Sequence, residues 1–201
     1  MNDLLIIPEG ATPIDDLSDL KLPWITTRQQ QNLTEAENIL GAFSKYFARK
    51  RNPVSWLNEK SLQKIHRDMF GTLWQWAGKY RTHVTNIGVQ PHLITMQLNE
   101  LCDDVHFWIR EKSSFPLIEQ SVRIHHRLVA IHPFVNGNGR HARFVADLFL
   151  YCQGLSIAKW PQDLGQNGLL RKEYISALKE ADQGDYCPLL SLTERYRANG
   201  S

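Results

Sequence analysis

A chain of 201 residues with 23 lysines and arginines against 21 aspartates and glutamates, a net charge of +2, has the size of one compact domain and no bulk electrostatic pull toward nucleic acid. Its 42% hydrophobic content is that of an ordinary globular domain, and no stretch approaches the ~18 uncharged apolar residues a membrane span needs. Cys102, Cys152 and Cys187 are odd in number and widely spaced, which argues against a disulfide framework or a zinc ribbon. The start, MNDLLIIPEG, lacks the basic region of a secretory signal, so a reducing cytoplasm is the expected setting.

Residues 1–26, with Pro8, Gly10, Pro13 and Pro23, read as an extended arm, and residues 27–201 as a single domain. Over 28–50, Leu33, Ala36, Glu37, Leu40, Phe43, Tyr46 and Phe47 recur at helical steps, and the segment closes on the basic run Arg49 to Arg51. Asn58 is placed to cap a second helix with Leu62, Ile65, Met69 and Phe70 inward, ending at Gly71. Trp74 and Trp76 are most simply core aromatics.

Residues 80–94 mix β-branched residues with Gly88 and Pro91, a better fit to a short β-hairpin or extended flap than to a helix. Helices are expected from about 95 to 112, from Pro116 until Pro133 stops the next one, and from Gly139 to Cys152 with Gly154 as its cap. After an irregular 155–168, two more follow near 169–182 and 186–197. The class is mostly α.

Between the two central helices lies His132-Pro-Phe-Val-Asn-Gly-Asn-Gly-Arg-His-Ala-Arg143. Gly137 and Gly139 permit positive φ, and the helix start behind them offers free N–H groups to an anion. Arg140 and Arg143, three apart, oppose the macrodipole there, a poor choice for stability and a good one for binding a polyphosphate. His132 is the natural general base, and the Asn136 carbonyl oxygen could reach a magnesium ion. His125, His126, His132 and His141 also admit a metal-centre reading, against which stands the lack of an H-E-x-x-H companion.

His132, Phe134, Gly137, Asn138, Gly139, Arg140 and Arg143 stand in the order and spacing of the Fic signature H-x-F-x-[D/E]-G-N-G-R-x-x-R, and the chain resembles that family. The likeness extends more loosely over about 57–150, and Gly78-Lys-Tyr-Arg81 is similar to a branch called mobile mystery protein B. The resemblance implies a Fic-type helical bundle with a hairpin flap that aligns a target segment. It implies transfer of AMP from ATP, with Mg2+, to a Ser, Thr or Tyr hydroxyl of a target protein, self-modification included. In that scheme His132 deprotonates the hydroxyl. The 137–139 backbone and Asn138 hold the α- and β-phosphates, Arg140 the β-phosphate and Arg143 the γ-phosphate, with Phe134 also among the nucleotide-binding positions. Asn136 departs from the family's acidic metal position.

Two other readings stay open: transfer of a different phosphate-containing group, phosphoryl or phosphocholine, and a non-catalytic, antitoxin-like nucleotide binder. Many relatives carry an inhibitory helix with the pattern [S/T]-x-x-x-E-[G/N]. Here Glu37-Asn38 supplies its last letters on the 28–50 helix, with Leu33 in place of the hydroxyl residue, which makes Glu37 the expected inhibitory acid and Arg143 its partner.

Overall fold

The computed structural model describes residues 19–111, 113–161, 164 and 168–198. Eight helices occur among them: α1 (Arg28–Tyr46), α2 (Pro53–Trp56), α3 (Glu59–Phe70), α4 (Ile94–Arg110), α5 (Leu117–Ile131), α6 (Asn138–Cys152), α7 (Leu169–Asp182) and α8 (Cys187–Ala198). Their starts follow local chemistry. Thr27 and Gln30 form a reciprocal capping box at α1, and the Asn58 side chain accepts the Ser61 N–H at α3. The short α2 was not anticipated. Its signal is Asn52-Pro53, an N-cap whose side chain accepts the Val54 N–H followed by proline at the first helical position.

Helices α5 and α6 form the central pair; α3 packs against α1, α4 and α6, α4 also against α5, and α7 and α8 against each other and α5. The main apolar core, which includes Phe70, Leu101, Ile124 and Leu148, joins α1 to α6. A smaller one, including Val122, Tyr174, Leu178 and Leu192, fastens α7 and α8 to α5. His125 reaches the Tyr174 hydroxyl at 2.9 Å, and His126 reaches Tyr186 and Asp182, so this histidine pair joins helices and is no metal centre. No metal-holding group of His, Cys, Asp or Glu occurs among the described residues. No helix there is long and apolar enough to cross a membrane.

Of the expected arm, residues 1–18 lie outside the described residues. Its end pairs with the Trp74 turn through a Leu20–Trp74 bridge and the bonds Lys21 N–H to Leu73 and Gln75 N–H to Asp19.

Two expectations are corrected. The first part of the α1 stripe faces outward: Leu33 is 59% and Leu40 65% exposed, while Gln31, Glu35 and Ala42 are buried; only its end turns inward as expected, with Tyr46 buried and Phe47 packed on the core. Periodicity located the helix but misjudged its facing, because the surface that α1 covers holds an indole N–H and a guanidinium that call for polar partners. Glu37 is on the exposed side. The flap, in turn, is no hairpin. Residues 81–90 are irregular, tied to the site loop by a single Tyr80–Phe134 bridge and by the buried Arg81 side chain. With Gly88 at φ 116° and a 3-10 turn from Pro91, the segment offers no second strand to pair with the first.

Candidate active site

The loop between α5 and α6 is built from both ends. His132 closes α5 in the left-handed region, φ 50° and ψ 58°, the single described non-glycine residue with positive φ. Such a conformation costs about 1–2 kcal/mol and persists only where surrounding contacts hold it. At the other end Gly137, φ 77°, is the N-cap of α6. A Cβ there would stand 2.7 Å from the Phe70 ring, so glycine is required by conformation and by space. Gly139 is already helical and needs no special φ; its bare Cα leaves room beside Arg143 Nη1 and the Tyr174 hydroxyl.

Beneath the loop lies a polar and aromatic scaffold that sequence reading missed. Phe134, expected among the nucleotide contacts, is fully buried and stacks on His66 with ring centroids 3.6 Å apart. The Gly78 N–H donates to His66 Nδ1 at 2.9 Å, so the ring proton sits on Nε2, which donates to the Asn136 carbonyl at 2.9 Å. His66 thus fixes the peptide that precedes Gly137. Asn138 has both ends of its amide engaged, accepting from Phe134 N–H at 2.9 Å and donating to Phe134 O at 2.8 Å. The side chain expected beside the phosphates is therefore a brace of the loop, and only its backbone N–H remains for an anion. His141, the neighbour of Arg140, donates to the Leu62 carbonyl and belongs to the same scaffold.

What the loop presents outward is a helix start without a side-chain cap. The first-turn N–H groups of Asn138, Gly139 and Arg140 have no intrahelical acceptor, and the first α6 bond is His141 N–H to Gly137 O. The two arginines part to either side. Arg140 lies over Phe70 and forms an ion pair with Glu35, which also accepts the Trp74 indole N–H at 2.7 Å. Arg143 lies over Tyr174 and Trp160, and the buried carboxyl of Asp147, one turn further along α6, is close enough to interact with it electrostatically. The placement expected of Glu37 is thus corrected: it lies on the exposed side of α1, and the acid that pairs with a motif arginine is Glu35, on Arg140.

His132 is buried, with Nδ1 lacking a hydrogen-bond partner. Burial, with the positive charge of Arg81 added, pushes its pKa down to about 4, so the ring is neutral at physiological pH. Asn136 is half-buried, and its Oδ1 accepts the Gly137 N–H at 2.6 Å. That oxygen keeps a second lone pair, so it fits a magnesium ion as one neutral ligand, the cation's charge then falling to bound phosphates.

This cradle coincides with a family signature. The Fic/DOC family model matches residues 56–150. Residues 56–150 are therefore a Fic/DOC-family domain. Its Fic domain is 30% identical over 126 residues to protein adenylyltransferase fic-1 of Caenorhabditis briggsae, covering 60% of this chain and 23% of that protein. It is 32% identical over 143 residues to protein adenylyltransferase Fic of Nematostella vectensis, covering 66% and 30%. The chain thus spans about a quarter to a third of the length of these curated relatives. Among solved structures, Fic-1 of C. elegans aligns with a TM-score of 0.66 at 22% identity over 89% of this chain and 52% of that one. BepC of Bartonella tribocorum, solved with bound AMPPNP, aligns with a TM-score of 0.66 at 16% identity over 95% and 97%. At these identities the structural matches establish the fold of the Fic domain.

Proposed function

We propose that the Fic domain is a protein adenylyltransferase, moving AMP from ATP to a hydroxyl side chain of a protein. The observation that carries this reading is the pairing of a neutral, buried histidine with an uncapped helix start flanked by two guanidinium groups. His132 takes the proton of the attacking hydroxyl. The hydroxyl oxygen then bonds to the α-phosphorus as the bond from that phosphorus to the α,β-bridging oxygen breaks, and pyrophosphate leaves. A base with a pKa of about 4 is weak, but the negative charge of a bound polyphosphate favours the imidazolium and raises that value toward the working pH. First-turn N–H groups of α6, with Arg140 and Arg143, hold the phosphates. Asn136 would hold Mg2+, which when bound neutralises phosphate charge. The relatives named protein adenylyltransferases support AMP as the fragment transferred. Ser, Thr or Tyr on a target, or on the chain itself, is the acceptor class.

The pairing of Arg140 with Glu35 favours a regulated form of this activity. While that carboxylate holds Arg140, one of the two phosphate-binding cations is engaged, so ATP and Glu35 compete for it. The test of the catalytic assignment is His132→Ala: transfer falls by ~10² to 10⁴ while ATP affinity stays within a few fold, because binding rests on the helix start and the arginines. Unchanged turnover would remove His132 from the mechanism.

A further inference from the structure

Arg81, from outside the loop, hydrogen-bonds to three of its backbone carbonyls, and the transfer chemistry above does not use it. It is 2% exposed, yet it has no carboxylate partner among the described residues. Its guanidinium is satisfied by carbonyl oxygens alone. Nε donates to His132 O at 2.6 Å, Nη1 to His83 O at 3.0 Å, and Nη2 to Ile131 O at 3.3 Å and to Val89 O. The backbone repeats the link: Arg81 N–H donates to Pro133 O at 3.0 Å and Val89 N–H to Ile131 O at 3.3 Å.

Two of those acceptors, Ile131 and His132, are the terminal carbonyls of α5, where the helix leaves unpaired oxygens and the negative end of its dipole. The other two, His83 and Val89, belong to the flap. The fork therefore joins the flap to the point where the chain turns left-handed at His132. Because the left-handed turn sets the direction of the His132 Cβ, a contact that fixes the His132 carbonyl also fixes where the ring points. Gly88 completes the arrangement: a Cβ there would stand 2.5 Å from Arg81 Nη2 and 2.7 Å from His132 Cβ. The flap closes over the guanidinium and the histidine only because residue 88 has no side chain.

We propose that Arg81 is the positioning residue of His132: its planar fork, seated under Gly88, holds the flap and the end of α5 in the one arrangement that aims the ring at the attacking hydroxyl. The proposal rests on His132 being the base. The fork geometry matters, and charge alone does not suffice, since a lysine ammonium is a point charge that cannot reach carbonyls on both sides in one plane. Arg81 contacts no phosphate-binding group, so its loss acts on turnover and leaves nucleotide binding in place.

The test compares wild type with Arg81→Lys and Gly88→Ala, the second disturbing the fork without altering it. Turnover with α-labelled ATP is measured beside the KM for ATP, and amide hydrogen exchange is followed in the same samples. A ring displaced by about 1 Å loses roughly 100-fold in kcat, with the KM for ATP within about threefold. Exchange accelerates at Val89 and His132 while α3 and α6 keep their protection. Wild-type kcat in Arg81→Lys overturns the proposal. So does loss of protection spread evenly over the domain, which would make Arg81 a stability residue only. If wild type transfers nothing, the transferase reading fails separately, and the exchange pattern still decides: local loss supports the Arg81 link, uniform or absent change refutes it.

Discussion

Replacing Glu35 with glutamine separates the two jobs of one buried side chain. Its Oε1 accepts the Trp74 indole N–H, and its Oε2 faces Arg140. Glutamine keeps a carbonyl oxygen for the indole and removes the charge opposite the guanidinium. Breaking a buried ion pair by removing one partner costs about 3–5 kcal/mol when the survivor stays buried. Here the Arg140 side chain is 34% exposed and can take up water, which brings the expected loss down to roughly 1 kcal/mol. The freed Arg140 is then available to a phosphate without competition. If Glu35 engages it in about nine molecules of ten, ATP affinity rises about tenfold, equivalent to ~1.4 kcal/mol, and labelling from α-labelled ATP rises with it. Titration calorimetry with ATP and a thermal unfolding curve on the same sample measure both effects. Glu37→Gln is the matched control: exposed on the other side of α1, it should change neither stability nor affinity by more than ~0.5 kcal/mol. An unchanged ATP affinity in Glu35→Gln, with Arg140→Ala weakened, would show that the carboxylate does not compete with the nucleotide.

Asn136→Asp keeps an acceptor for the Gly137 N–H and adds a negative charge, so magnesium titrations of the nucleotide complex should move to lower metal concentration; coincident curves would remove the side chain as a ligand. His66→Phe keeps a ring to stack on Phe134 but orphans the Gly78 N–H and the Asn136 carbonyl, for an expected loss of about 2–4 kcal/mol in denaturant unfolding. Stability should also fall with acid. His132 and His141 have folded pKa values of about 4, below the unfolded ~6.5, and His66 and His125 are pushed well down by burial. Between pH 6.5 and 4 the unfolded chain binds the more protons, so each histidine removes up to about 1.4 kcal/mol per pH unit as pH drops. Asp147, raised to about 7 by burial, works the opposite way over the same range and offsets roughly one of the four. Unfolding free energies at pH 7.5, 6 and 5 that do not decline would contradict the neutral burial of these rings.

The parts of the molecule that were legible in advance are those decided within a few residues. Asn58 caps α3 by a local hydrogen bond and Pro116 stands at the start of α5, both as expected, while α6 begins at Asn138, one residue ahead of the expected Gly139. That His132, Gly137, Arg140 and Arg143 share one loop and helix start was legible for the same reason, since they are contiguous in sequence. What pairs with these residues was not. Glu35 is 105 residues from Arg140, and Arg81 is about 50 from the carbonyls of Ile131 and His132. Hydrophobic period on α1 pointed to Leu33 and Leu40, whereas the buried face is chosen by what Trp74 and Arg140 need. Asn138 shows the converse: a polar residue inside a binding motif whose amide is used entirely by the loop backbone. Even there Phe134, four residues away, gave no sign of the bidentate contact.

The most direct measurement of the transferase reading is incubation of the protein with ATP labelled separately at the α- and γ-phosphates, alone and with cell lysate. On that reading α-label, and no γ-label, becomes covalently attached to protein, and the attachment disappears in His132→Ala. Attachment of γ-label would make the domain a phosphoryl-transfer enzyme, and absence of both labels from a sample that binds ATP would make it a nucleotide binder without turnover; either result contradicts the account.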